Sequence, residues 1–235
     1  MKTMTPITLA FDTSTKWLTL ALGNRKNIIF QCQYQVQENH SRVLIKCLEW
    51  MKQEDFFFTY PPERVVVGLG PGSFTGVKIA NMTARSIAYS LNCPLVGFST
   101  LEMLATRIPE EYIHHSEGVI LPVIAHKKNE IFWSELSVDF RYHVSSKPII
   151  EVNSPSEFVR QYSGREVCVI TPWIELYHYF QEQHLRCYPY EQSLPDALGL
   201  IELMEIQEQY ILQKINRNLI GIAEPLYGSR VFEFK

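Results

Sequence analysis

The sequence predicts an α/β fold made of two similar halves, each a mixed sheet flanked by helices. Three observations carry this: an opening run of alternating apolar residues that turns back twice, a continuously apolar segment entering a glycine turn and a long helix, and a second strand, turn and strand after residue 118. With 235 residues and 46% hydrophobic content, the chain can bury a sizeable core.

Ile7, Leu9 and Phe11 alternate with Thr8 and Ala10, and the turn Asp12-Thr13-Ser14-Thr15 leads to a second strand-like run, Trp17 to Leu22. A turn at Asn24 to Asn27 and a run from Ile28 to Tyr34 complete an antiparallel meander. Leu44, Cys47, Leu48 and Met51 then recur at helical spacing, with Asn39 or Ser41 available as the cap. Val65 to Leu69 is apolar at nearly every position, the pattern of a strand buried on both faces. It enters Gly70-Pro-Gly-Ser-Phe-Thr-Gly76 and a helix from Thr75 to Leu91. Pro94 to Phe98 gives a short strand. Ser99 and Glu102 form a capping box opening a helix to about Arg107, and Pro109 ends it.

The polar run from Ile108 to Glu117, with Glu110, Glu111, His114 and His115, marks the boundary between halves 1–108 and 118–235. Val119 to Ile124, a turn at His126 to Asn129 and Glu130 to Ser137 repeat the opening hairpin. Helices follow at Pro155 to Tyr162, capped by Ser154 and Glu157, and at Trp173 to Gln183, with a strand at Glu166 to Ile170 between them. The repeated layout suggests a duplication with a cleft between the halves.

A net charge of −3 gives no overall positive field with which to hold a nucleic acid unaided, so any RNA is expected to be gripped by a partner. The five cysteines are odd in number and contain no C-x-x-C pair, which reads as reduced thiols in a cytosol. Asp12 and Lys16 interrupt the apolar N-terminal stretch, and no run is long enough for a membrane span. A cytoplasmic protein is expected.

Two loops could carry chemistry. In the turn, Gly70, Gly72 and Gly76 permit close backbone approach, and Ser73 and Thr75 supply hydroxyls at a helix N-terminus. Such a place collects phosphate or carboxylate, although Ser73 or Thr75 can equally cap its own helix. Asp12, Thr13 and Ser14 at a strand tip could hold a metal-bound phosphate across the cleft, or could simply make a local turn. The helix from Thr75 carries two apolar stripes. Val77, Ala80, Ala84, Ile87, Ala88 and Leu91 suffice to pack it on a sheet, so Ile79, Met82, Ser86 and Tyr89 form either a second buried face or a subunit interface. His40 can be a general base or a cap. Metallohydrolase and serine-hydrolase signatures are absent from the sequence, so no catalytic residue and no metal ligand is assigned.

Leu9-Ala-Phe-Asp-Thr-Ser-Thr15, Asn39-His-Ser-Arg42, Gly68 to Ile79 and Pro94 to Glu102, in this order and spacing, resemble the bacterial TsaB (YeaZ) family over roughly the first 105 residues. Glu130-Ile-Phe-Trp133 and Glu224-Pro-Leu-Tyr227 extend the resemblance more thinly. It implies an actin-like, Hsp70-like ATPase (ASKHA, ribonuclease H-like) fold of two duplicated lobes. It further implies a non-catalytic scaffold role in forming N6-threonylcarbamoyladenosine at position 37 of tRNAs reading ANN codons. The implied partners are the TsaD transferase, bound through the two N-lobe helices, and the ATPase TsaE. A homodimer is the alternative assembly when the partner is absent, and tRNA is bound by the complex. ATP or ADP and a divalent metal are then expected in the partner subunits and none here. The docking surface carried over comprises His40, Leu44, Cys47, Trp50 and Met51 on one helix and Lys78, Ile79, Met82, Ser86 and Tyr89 on the other. The loop residues Asp12, Thr13, Ser14, Gly70, Gly72, Ser73, Thr75 and Gly76 become vestigial phosphate loops. Where TsaD places a histidine pair on the first helix, this chain offers only His40, with Leu44 one turn on. Where the family has Asp-Ala-Arg opening the second lobe, Ala125-His126-Lys127 stands here, and Lys78 replaces the usual arginine. The competing reading is an actin-like enzyme, an ATPase or small-molecule kinase, using the Asp12 and Gly70 to Gly76 loops. A metallopeptidase lacks its ligands.

Overall fold

Two five-stranded sheets repeat one pattern. In the computed structural model, which describes residues 5–37, 39–109, 112, 118–127, 129–137, 139 and 149–214 (backbone only for 209–214), the first sheet has the order β3-β2-β1-β4-β5. Strands β1 (Thr8–Asp12), β2 (Trp17–Asn24) and β3 (Asn27–Gln35) form the expected antiparallel meander, with Asp12 opposite Thr19. β4 (Arg64–Gly68) and β5 (Leu95–Phe98) add to it in parallel.

The second sheet has the order β10-β6-β7-β9, with β8 paired to β6. Its strands are β6 (Val119–Ala125), β7 (Ile131–Trp133), β8 (Leu136–Ser137), β9 (Glu151–Asn153) and β10 (Cys168–Ile170). β6 pairs antiparallel with β7 and parallel with β10, as β1 does with β2 and β4. β9 on β7 then matches β3 on β2. Glu130 to Ser137 is not one strand: Ser134 turns its hydroxyl to the Ile149 carbonyl at 2.6 Å, and pairing resumes at Leu136. Glu110, Glu111, His114, His115 and the Glu224 to Tyr227 motif lie outside the described residues.

The helices follow their local signals. α1 (His40–Gln53) is capped by the Asn39 side chain on the Arg42 N–H. A single turn, α2 (Phe56–Thr59), follows it, and α3 (Phe74–Leu91) is capped by Ser73. α4 (Thr100–Ala105) and α5 (Pro155–Tyr162) both form the anticipated capping boxes, and α6 (Ile174–Glu182) follows β10.

The long helix α7 (Ala197–Lys214) has no forerunner in the sequence reading. Leu198, Leu200, Ile201, Leu203 and Met204 spread around it rather than along one stripe, because it lies between the two sheets. Its residues join Ala10, Ala21 and Val66 of the first sheet and Ile120, Cys168 and Ile170 of the second in one core, to which α4 contributes Met103 and Ala105. The outer face of the first sheet packs on α1 and α3, and that of the second on α5 and α6. The layers are therefore helix, sheet, helix, sheet, helix. Asp196 accepts from Gln31 at 3.0 Å and pairs with Arg107 at 3.0 Å, while the Ala197 N–H donates to Thr19 at 2.7 Å.

Candidate functional site

Asp12 ends β1 wholly buried. Its Oδ1 accepts from the Ser14 N–H at 2.6 Å and the Ser14 hydroxyl at 2.7 Å, and its Oδ2 accepts from the Thr100 hydroxyl at 2.6 Å. Burial pushes the carboxyl above the ordinary aspartate range, while these donors and the nearby His40 pull it back. His40 Nε2 lies 2.9 Å from the Thr15 carbonyl, so this side chain braces the Asp12 loop.

The glycine turn sits directly on that loop. The Ser73 N–H donates to the Ser14 carbonyl at 2.6 Å, and the Thr13 hydroxyl donates to the Gly76 carbonyl at 2.7 Å. A β-carbon on Gly72 would overlap the Ser14 carbonyl, and one on Gly76 the Thr13 carbonyl, so only glycine permits this approach. The Gly70 carbonyl accepts from the Thr100 N–H at 2.7 Å, which ties the turn to α4 as well.

An anion at a helix N-terminus needs amides that point at it. Here the Ser73 amide is spent on Ser14, and the Gly76 amide donates to the Ser73 hydroxyl at 3.2 Å. Thr75 is exposed on the first turn of α3. In the second half, Ala125 stands opposite Ile131 where Asp12 stands opposite Thr19, so that hairpin offers no carboxylate in the equivalent place. His126 beside it rests against the Phe132 ring, 4.1 Å between centroids. Among the described residues no three His, Cys, Asp or Glu side chains gather around one point. Each Asp12 oxygen already accepts from the protein, and the Ser73 and Gly76 amides are taken up within the two loops.

Exposed apolar residues stand side by side on α1 and α3. Met82 is 64% and Tyr89 76% exposed, and between the helices runs a groove of about 390 Å³ whose walls include Ile45, Leu48, Ile87 and Leu91. Ser86 lines the same groove, and Lys78 is exposed with its ammonium 4.1 Å from the Phe74 ring centroid. Trp50 is 43% exposed and packs on Phe30 and Phe56 at 5.2 and 5.5 Å.

Three of the expected docking residues are corrected. Leu44 and Met51 are fully buried against the first sheet, because α1 needs one stripe for its own core and they supply it. His40 faces the Asp12 loop. Ile79 and Cys47 are half-buried, so the surface is narrower than the helical spacing indicated. Leu91, assigned to packing, is 42% exposed at the edge of the groove, while Ile87 packs on the core as expected and also lines the groove. Thr100 was missed altogether: it reads as the first residue of a capped helix, and nothing in its spacing signals a contact with Asp12, 88 residues away.

The family described as TsaD, tRNA N6-adenosine threonylcarbamoyltransferase, matches residues 34–150. A Haemophilus influenzae protein named tRNA threonylcarbamoyladenosine biosynthesis protein TsaB is 26% identical over 229 residues, covering 93% of this chain and 92% of its own. The Bacillus subtilis protein of that name is 29% identical over 124 residues, about half of each chain, and the Escherichia coli one 26% over 168. Among solved structures, YeaZ from Pseudomonas aeruginosa superposes with a TM-score of 0.68 at 19% identity, over 95% of this chain and 100% of that one. The fold of two sheets with flanking helices is the one that YeaZ structure has. With the loop motifs of the first half in place, the chain is similar to TsaB (YeaZ) proteins nearly end to end.

Proposed function

We propose that this protein is a non-catalytic scaffold in forming N6-threonylcarbamoyladenosine at position 37 of tRNAs reading ANN codons. It pairs with a TsaD transferase through α1 and α3, and TsaE joins the assembly. The observation that carries the reading is the contrast between its two surfaces: the nucleotide-type loops close on each other, while α3 presents Met82 and Tyr89 beside an open apolar groove. The relatives' name supplies the pathway.

On this reading the Asp12 and Gly70 to Gly76 loops hold α3 in place for docking. Nucleotide, divalent metal and tRNA are held by the partners or by the complex, in the cytoplasm. No described helix is long and apolar enough to cross a membrane. Threonylcarbamoyladenosine in bulk tRNA, measured by mass spectrometry after depletion of this protein, is expected to fall; an unchanged level overturns the pathway assignment. Isothermal titration of the chain alone with magnesium and ATP is expected to give no binding heat, and a tight magnesium-dependent site would replace the scaffold with an enzyme.

A further inference from the structure

Cys32 and Cys47 come from opposite sides of one seam. On β3, Phe30, Cys32 and Tyr34 alternate toward α1, while Gln31 and Gln33 turn to Asp196 and Pro195 at the start of α7. On α1, Val43, Cys47 and Trp50 follow one another at helical spacing on the side that meets β3. Phe30 stacks on Trp50, and one step along the seam Cys32 and Cys47 line the same groove. Both thiols line an open groove with Lys46, and neither is fully buried. The remaining cysteines differ. Cys168 and Cys187 also neighbour each other, but burial pushes both thiols up to about 12, and Cys93 is buried as well.

We propose that Cys32 and Cys47 are a peroxide-reactive dithiol that closes to a disulfide pinning α1 to the edge strand β3. The Cys47 thiolate attacks hydrogen peroxide, so that a sulfur–oxygen bond forms, the oxygen–oxygen bond breaks and hydroxide leaves as water on taking a proton. Cys47 is thereby oxidised to the sulfenic acid. The Cys32 sulfur then attacks Cys47, forming the sulfur–sulfur bond and expelling water, which carries away the Cys32 proton. Two thiols and one peroxide become one disulfide and two waters. The neighbouring Cys32 thiol lowers the Cys47 thiol to about 7, which makes it the attacking sulfur, while Cys32 is pushed up and acts second. The two side chains enter one groove from facing elements, so closing the bond draws α1 and β3 together along a seam where they already pack.

The test uses the full chain, treated with stoichiometric hydrogen peroxide and digested without reduction. A Cys32–Cys47 cross-linked peptide, lighter by two hydrogens and lost on adding dithiothreitol, is expected. Cys32→Ser should instead accumulate a Cys47 sulfenic acid that dimedone traps. In the untreated protein at neutral pH, iodoacetamide is expected to label Cys47 about tenfold or more faster than Cys93, Cys168 or Cys187. Over-oxidation of Cys47 with no cross-link, a Cys168–Cys187 bridge in its place, or even labelling of all five thiols would each overturn the proposal.

Discussion

Glu102 shows how one carboxyl can serve structure at a cost set by pH. It completes the α4 capping box by accepting from the Ser99 N–H at 3.0 Å, and burial pushes its carboxyl up to about 7 from the usual 4.5. Between those two values the folded protein holds the proton more tightly than the unfolded chain does. Stability from this group is therefore greatest below the unfolded value and declines as pH rises to about 7. Glu102→Gln keeps an acceptor for Ser99 and removes the ionisation. Urea unfolding across pH 5 to 8 is expected to show the wild type losing about 2–3 kcal/mol more than the variant over this window. Parallel curves would assign the slope elsewhere. Leu44 makes the complementary point for apolar groups: buried against the first sheet, it should cost about 2–5 kcal/mol on change to alanine.

At the scale of elements, the two faces of α3 differ in burial and can be separated by experiment. Val77, Ala80, Ala84 and Ala88 bury one face, and Met82 and Tyr89 stand on the other. Met82→Glu is expected to leave the unfolding free energy within about 0.5 kcal/mol of wild type while abolishing co-elution with a TsaD partner on gel filtration. Retained co-elution would remove α3 from the interface. The same elements show what was legible in the sequence. Caps, boxes and the meander are written in residues a few positions apart, so Asn39, Ser73, Ser99 and Ser154 marked helix starts correctly. Spacing alone could not say which apolar residues of α1 face inward, since Leu44, Cys47 and Met51 share one periodic pattern and only the packed sheet divides them. The closure of the Asp12 loop on Thr100 and Gly76 was equally invisible, being made by pairs 88 and 63 residues apart. α7 escaped notice because a helix covered on several sides loses the stripe by which helices are recognised.

For the whole molecule, the shared inner core couples the two halves. Ala10 and Val66 from one sheet and Ile120 and Ile170 from the other share one core with residues of α7, and Arg64 of β4 pairs with Glu208 at 2.7 Å. Calorimetry is therefore expected to give a single unfolding transition with matching calorimetric and van't Hoff enthalpies. Two resolved transitions would mean that the halves fold independently. The covering of the first sheet by the last described helix also bears on synthesis. Thr19 and the Ala197 amide it accepts from are separated by 178 residues. At ribosomal rates of about 5–20 residues per second, the opening meander waits roughly 10–35 s for its inner face to be covered. During that interval Ala10, Ala21 and Val66 remain an apolar surface on a nascent chain, a target for chaperones that the finished protein does not show.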